Sequence, residues 1–330
     1  MKSAKTLVVG GAGYIGSATA RALQEAGHEV VTYDDLTTGF REAVQGELVV
    51  GDVRDTAKLR GVLREGRFDA VLHFAARIAV GESVRQPVSY YGVNVGGSLS
   101  LVEAMAEVGV RAIVFSSSAA VYGDPGVSPI PEGQAIQPMS PYGHTKAMVE
   151  QLLHDARAEG FRVACMRYFN ASGAQPDGSM GEAHHPETHL IPLAIGAAMG
   201  QRPPLDLFGD DYETRDGTCV RDYIHVVDLA AAHVAAVGAL LSGSEGAAWN
   251  VGTGTGHTVR EVLDAVGRAV GAPVPHRLVA RRPGDPASLV ADPTRIQTEL
   301  GWRAELSSLE TIVETATRWA RAPRYGPLAR

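Results

Sequence analysis

Tyr142 and Lys146 stand four residues apart in Tyr142-Gly143-His144-Thr145-Lys146, a spacing that puts both on one face of a helix. A phenol beside an ammonium is an acid–base pair. An opposite charge within about 4 to 6 Å typically lowers a phenol from its usual value near 10 by about 1 to 3 units, toward use as a base near neutral pH. Only four of the 30 basic residues are lysines (Lys2, Lys5, Lys58 and Lys146), so the pair does not follow from lysine abundance. A third candidate is Ser118, which closes the run Phe115-Ser116-Ser117-Ser118 after a β-branched stretch. At the carboxyl end of a strand it could hydrogen-bond a substrate hydroxyl, or it could simply cap the next helix.

A second constellation lies near the start. Gly10-Gly11-Ala12-Gly13-Tyr14-Ile15-Gly16 follows the apolar stretch Thr6 to Val9 and satisfies GxGxxG through Gly11, Gly13 and Gly16, and GxxGxxG through Gly10, Gly13 and Gly16. Glycines here permit a tight turn and close approach of a pyrophosphate, and they aim the N–H groups of the following helix at the anion. Asp34 follows 18 residues after Gly16, near the spacing at which an acid accepts the hydroxyls of an adenosine ribose. Asp35 adjoins it, and no arginine stands beside them to hold a 2′-phosphate, so NAD is expected rather than NADP. Asp52, in Gly51-Asp52-Val53, either caps a helix or meets the adenine.

These groups need a scaffold. Short β-branched runs at residues 6–10, 28–33, 47–50, 69–74, 111–117 and 161–169 alternate with helical spacing over 15–26, 56–65, 88–108 and 141–159. The alternation predicts an α/β fold with a doubly wound parallel Rossmann sheet. After Phe169 the chain turns Gly-, Pro- and His-rich, which predicts a smaller irregular domain; the expected division is 1–170 for the cofactor and 171–330 for the substrate. A length of 330 suits two lobes with a cleft between them.

Composition narrows the classes. With 30 basic and 37 acidic residues the net charge is −7, which argues against a nucleic-acid grip by bulk charge. No apolar run approaches the roughly 20 residues of a membrane span. Cys165 and Cys219 form no disulfide framework and no Cys/His cluster, so a reducing cytoplasm and no metal are expected.

Six segments in order, GGAGYIG, FSSSAAVYG, YGHTK, RYFNASGA, GTCVRDYIHVVDLA and RRPGDPASLVAD, resemble the UDP-glucose 4-epimerase family within the extended short-chain dehydrogenases/reductases, over about residues 5 to 320. The resemblance implies inversion at C4 of a UDP-hexose, UDP-galactose to UDP-glucose, through a 4-keto sugar, with NAD reduced and regenerated in each turnover. Related 4-epimerases acting on N-acetyl or pentose forms share these motifs. The resemblance implies that Ser118 and Tyr142 flank the 4-hydroxyl, that Lys146 binds the nicotinamide ribose and that Tyr168 approaches the nicotinamide. It adds Tyr14, Ile15, Val53, Phe74, Ala75, Ala76 and Asn94 to the cofactor residues. To the nucleotide sugar it assigns Asn170, His189, Leu190, Leu207, Phe208, Arg221, Arg282 and Asp285, with Leu289 beside the sugar's 2-substituent.

The chain departs from one branch of the family at Ile78, where that branch has lysine, and at His189, where it has asparagine. Ala119 and Ala120 stand where nucleotide-sugar 4,6-dehydratases carry an Asp-Glu pair, so elimination of water lacks its acid and base. A sensor that has lost its chemistry would not need Ser118, Tyr142 and Lys146 together. The segments 88–108 and 141–159 resemble the family's dimer-forming helices, so a homodimer is expected.

Overall fold

In the computed structural model, which describes residues 3–282 and 284–327, the first half is built as the periodicity predicts. Strands β1 (Lys5–Val9), β2 (Glu29–Asp34), β3 (Glu47–Val50), β4 (Ala70–His73), β5 (Ala112–Ser118) and β6 (Arg162–Tyr168) pair in parallel. Between them run α1 (Tyr14–Glu25), α2 (Thr56–Gly66), the short α3 (Val80–Arg85) and α4 (Pro87–Tyr90), α5 (Gly97–Val108) and α6 (Pro141–Ala156). The helix expected over 88–108 is interrupted by a π-helical turn at Tyr91–Gly96 that carries Asn94. Such turns often mark functional sites.

Alternate strand residues feed two cores. Leu7, Val9, Val71, Ile113 and Phe115 pack under α2, α5 and α6, whereas Val8, Leu72 and Val114 pack under α1 and a helix from the second half. Both faces of the sheet are therefore covered, as all-parallel sheets require.

Beyond β6 the chain is more regular than its loop composition suggests. It forms β7 (Asn170–Ser172), α7 (Leu190–Ala198), β8 (Leu205–Phe208), β9 (Val220–His225), α8 (Val226–Leu241), β10 (Ala248–Val251), β11 (Gly256–Thr258), α9 (Val259–Val270), β12 (His276–Val279), β13 (Ser288–Leu289), α10 (Thr294–Leu300) and α11 (Leu309–Arg321). A separate core joins α7, α9 and α11 through Ile191, Ile195, Val262, Val266, Ile312 and Val313.

The chain after residue 170 also returns to the first sheet. Strand β10 pairs with β6 as a seventh strand, giving the order β10-β6-β5-β4-β1-β2-β3, and α8 covers the face beside α1. The order reverses between β1 and β4, so the ligand crevice of such a sheet opens above these two carboxyl ends. Among the described residues no helix is long and apolar enough to cross a membrane.

Candidate active site

The glycine turn lies at that reversal point. Gly10 has φ +83°, and a Cβ on it would stand 2.3 Å from the backbone nitrogen of Ala75, so the turn presses directly on the chain leaving β4. Gly16 lies against the turn itself, where a Cβ would stand 2.2 Å from the Gly10 carbonyl oxygen. Gly13, the N-cap of α1, is different. It offers no side-chain cap, and its Cβ direction is open apart from the Gly10 oxygen at 3.5 Å, so the first N–H groups of α1 are left for an anion. This cradle fits the pyrophosphate of a dinucleotide.

Asp34 accepts from the N–H groups of Ala12 at 2.9 Å and Leu36 at 2.8 Å, one on each oxygen. Burial raises its pKa and the two backbone bonds oppose that rise. A carboxylate has about four acceptor sites, so Asp34 can tie down the glycine turn and still accept ribose hydroxyls. Asp35 is exposed and accepts from Thr37 N–H at 2.8 Å. The Asp52 ambiguity is resolved against capping, because Asp55 caps α2 by accepting from Lys58 N–H at 3.0 Å. Asp52 instead pairs with Arg54, which holds its carboxyl below the usual range.

Phe74, Ala75 and Ala76 are half-buried where β4 ends, Ile15 packs toward α8, and Val53 is buried against Gly97 of α5. The Tyr14 hydroxyl donates to the Gly173 carbonyl at 2.6 Å, linking the cofactor turn to the second half. Asn94 is a tie. Its amide accepts from Arg77 N–H at 2.8 Å and donates to Arg77 O and Thr145 Oγ1, both at 3.0 Å, which locks the exit of β4 to the helical turn between Tyr142 and Lys146.

Ser118 ends β5, in register with Tyr168 of β6. Its hydroxyl accepts from Ala120 N–H at 3.2 Å, so it caps the short 3-10 turn Ala119–Val121 as well as facing Tyr142. Helix α6 starts there because Ser140 caps it, accepting from Gly143 N–H at 3.1 Å, and Pro141 occupies its first turn. Both Tyr142 and Lys146 are buried.

The charge relation between them differs from the sequence expectation. Burial raises the Tyr142 pKa, and the opposing influence is the Ser118 hydroxyl rather than Lys146. Burial also pushes the Lys146 ammonium down to about 7, with Glu150 opposing. Lys146 Nζ donates to the Ser116 carbonyl at 2.6 Å and lies 5.9 Å from the centre of the Tyr142 ring. A low-dielectric site disfavours both charged forms at once, so within the protein alone the phenol is shifted up rather than down. Tyr168 adjoins them, its hydroxyl bonded to that of Ser116 and its pKa raised by burial.

Two residues past Tyr168, Asn170 begins the wall of a cavity of about 470 Å³. Asn170 Nδ2 donates to the Asp222 carbonyl at 2.9 Å. His189 and Leu190, at the start of α7, line the cavity with Leu207, Phe208, Arg221, Arg282 and Asp285. The Arg282 guanidinium lies 3.8 Å from the centre of the Phe208 ring, and Arg221 is paired with Asp285. Two arginines in one cleft suit a diphosphate.

Leu289 pairs in register with Arg221 but is not among the residues lining this cavity. It packs with Ala119, Val121, Tyr122 and Ile130 behind the Ser118 turn. Sequence reading missed Gly143, although it sits inside the Tyr/Lys motif: a Cβ there would stand 2.6 Å from the Ala120 carbonyl oxygen.

The geometry has close counterparts. The model of the "NAD dependent epimerase/dehydratase family" matches residues 6–252. A UDP-glucose 4-epimerase of Rhizobium meliloti is 49% identical over 321 residues, 97% of this chain and 98% of that protein. A crystal structure of UDP-glucose 4-epimerase from Brucella ovis in complex with NAD superposes with a TM-score of 0.94 at 50% identity, covering 96% of this chain and 98% of that one. The enzyme from Bifidobacterium longum in complex with NAD+ and UDP gives 0.91 at 38% identity, with coverage of 96% and 98%. Because likeness of this degree spans both halves of the molecule, the chain belongs to the NAD dependent epimerase/dehydratase family.

Proposed function

We infer that this chain is an NAD-dependent isomerase that inverts C4 of a UDP-hexose, interconverting UDP-galactose and UDP-glucose. The observation that carries the reading is the meeting of Ser118, Tyr142, Lys146 and Tyr168 above β5 and β6, one turn of chain from a cleft holding Arg221 and Arg282. The glycine cradle and Asp34 fit NAD, which when bound accepts hydride from C4 and returns it to the other face. Tyr142 takes and returns the proton of the 4-hydroxyl at its phenolic oxygen, with Ser118 orienting that hydroxyl. Lys146 would donate to the nicotinamide ribose through its ammonium group. Asn170, His189, Leu190, Leu207, Phe208, Arg221, Arg282 and Asp285 hold the nucleotide end, and Leu289 shapes the sugar end from behind the Ser118 turn. In this division residues 1–170 carry the cofactor and 171–330 the substrate, except that α8 and β10 return to complete the first sheet and its helical cover.

The deciding experiment incubates purified protein with UDP-galactose and no added NAD. UDP-glucose as the product, with NAD released only on denaturation, supports the reading. No conversion with or without NAD overturns it. A 4,6-dehydratase finds no support at the Ser118 turn, where Ala119 and Ala120 carry only methyl groups.

Two further assignments are part of this proposal. The homodimer reading is supported by Val84 (64% exposed) and Val88 (83%) with Tyr91, Leu99 and Met148, an apolar set on the segment around α3 to α5 and on α6. Sedimentation at micromolar concentration tests it, and a monomer would reject it. A cytoplasmic setting is supported by two free cysteines.

A further inference from the structure

Beside the cavity, the loop that enters α7 gathers Glu182, His184, Glu187 and His189. One donor atom from each lies within 4.8 Å of the others. The Nδ1 atoms of His184 and His189 approach the same oxygen, Glu182 Oε1, at 2.9 and 2.7 Å. His189 Nδ1 is also 2.8 Å from Glu187 Oε1. Both carboxylates are almost closed off from solvent, with side chains 7% and 6% exposed.

The scaffold is firm. Trp319 Nε1 donates to the Glu182 carbonyl at 2.8 Å, and Gly181 is pressed beneath the Trp319 ring, where a Cβ would stand 2.3 Å from it. Glu187 accepts the N–H groups of Thr188 at 2.7 Å and His189 at 2.8 Å, and the Tyr14 ring stands edge-on to His184 at 6.2 Å. The negative potential of the cluster reaches Tyr14, whose phenol is held well above its usual range by burial and then by the Glu182 charge.

Two nearly buried carboxylates and two converging imidazoles require positive charge at their centre, either protons on the rings or a cation. Four protein donors of N₂O₂ type match a closed tetrahedral site with bonds of about 2.0 to 2.2 Å, and imidazole with carboxylate suits zinc-like divalent ions. We propose that Glu182, His184, Glu187 and His189 form a divalent transition-metal site of the zinc class, which clamps the loop to the start of α7 and holds His189 and Leu190 in the cavity wall. Ligation needs Nδ1 of each ring and both carboxylates free of protons.

The test uses the full-length protein, stripped with EDTA and titrated with ZnCl₂ by calorimetry and with CoCl₂ by visible absorption, with no nucleotide sugar present. The expected result is one ion per chain and the intense visible bands of four-coordinate cobalt. His184→Ala and Glu187→Gln should each weaken binding at least tenfold, while His154→Ala, on the exposed face of α6, leaves it unchanged. Circular dichroism in EDTA checks that the variants are folded. If either is not, a Zn²⁺-dependent rise in the wild-type melting temperature with no rise in Mg²⁺ supports the site, and no rise overturns it. Absence of saturable binding, or binding that survives His184→Ala, overturns the proposal and leaves an ion-pair cluster. The readout is direct binding, so it stands or fails independently of epimerase activity.

Discussion

Gly143 and Ala120 are in direct apposition: a Cβ on Gly143 would come within 2.6 Å of the Ala120 carbonyl oxygen. The first turn of α6 therefore rests on the turn that Ser118 caps, and this contact sets the distance between the serine hydroxyl and the Tyr142 phenol. Backbone oxygen cannot swing aside as a flexible side chain can. Gly143→Ala should lower kcat tenfold or more with KM for the nucleotide sugar nearly unchanged. A variant of wild-type kcat would show that the contact does not position the pair.

Tyr142→Phe should reduce turnover by about 10² to 10⁴, the usual contribution of a placed general base, while UDP affinity measured by calorimetry is retained. Ser118→Ala should cost less, because the part proposed for its hydroxyl is to orient the substrate rather than to move the proton. Equal losses would exchange the two roles, and near-normal turnover in Tyr142→Phe would remove the phenol from the mechanism.

Asp34 accepts from Ala12 N–H at 2.9 Å, and its negative charge is expected to repel a 2′-phosphate. Asp34→Ser should narrow the preference for NAD over NADP in equilibrium binding, and should also lower stability by about 1 kcal/mol through loss of a backbone partner. An unchanged ratio of the two dissociation constants places the discrimination elsewhere.

His233, fully buried on α8, gives the protein a dependence on acid. Its Nδ1 donates to the Leu229 carbonyl at 2.8 Å, its Nε2 has no partner, and the ring lies 4.9 Å from that of Phe74. Burial pushes its pKa down to about 4. The unfolded chain takes up this proton near pH 6.5 and the folded chain only near 4, so stability is complete above pH 6.5 and falls as pH drops between them. The loss attributable to His233 is about 3 kcal/mol by pH 4. His233→Leu should show a correspondingly smaller difference in urea unfolding between pH 7 and pH 4.5, and parallel losses would acquit this histidine. His73, held down to about 3 by burial and then by Lys146, acts in the same direction.

Leu289 supports the Ser118 turn through Ala119 and Val121 rather than lining the described cavity. If it nonetheless sets the room beside the sugar's 2-substituent, wild type should accept UDP-N-acetylglucosamine, and Leu289→Tyr should depress that activity while sparing UDP-galactose. Equal loss of both substrates, or no N-acetyl activity in wild type, identifies Leu289 as a packing residue only.

What the sequence determined by itself is local. The strand feeding Gly10 to Gly16, the acid at the end of β2 and the Tyr142/Lys146 pair one helical turn apart are each confined to a few residues, and periodicity carries them. What tertiary structure decided joins distant segments: β10 entering the first sheet beside β6, Asn94 bonded to Thr145 across 51 residues, and α6 resting on Ala120. The electrostatics belong to the same level. Spacing alone put Lys146 beside a phenol and implied a lowered pKa, but burial acts on both groups and reverses the direction for Tyr142. Glu182, His184, Glu187 and His189 are neighbours in the sequence as well, yet only the packing of Gly181 and Trp319 turns their side chains toward one point. Local propensity is set by a residue and its next few neighbours, whereas the dielectric around a group and the direction of a loop side chain are set by whatever the rest of the chain packs against it.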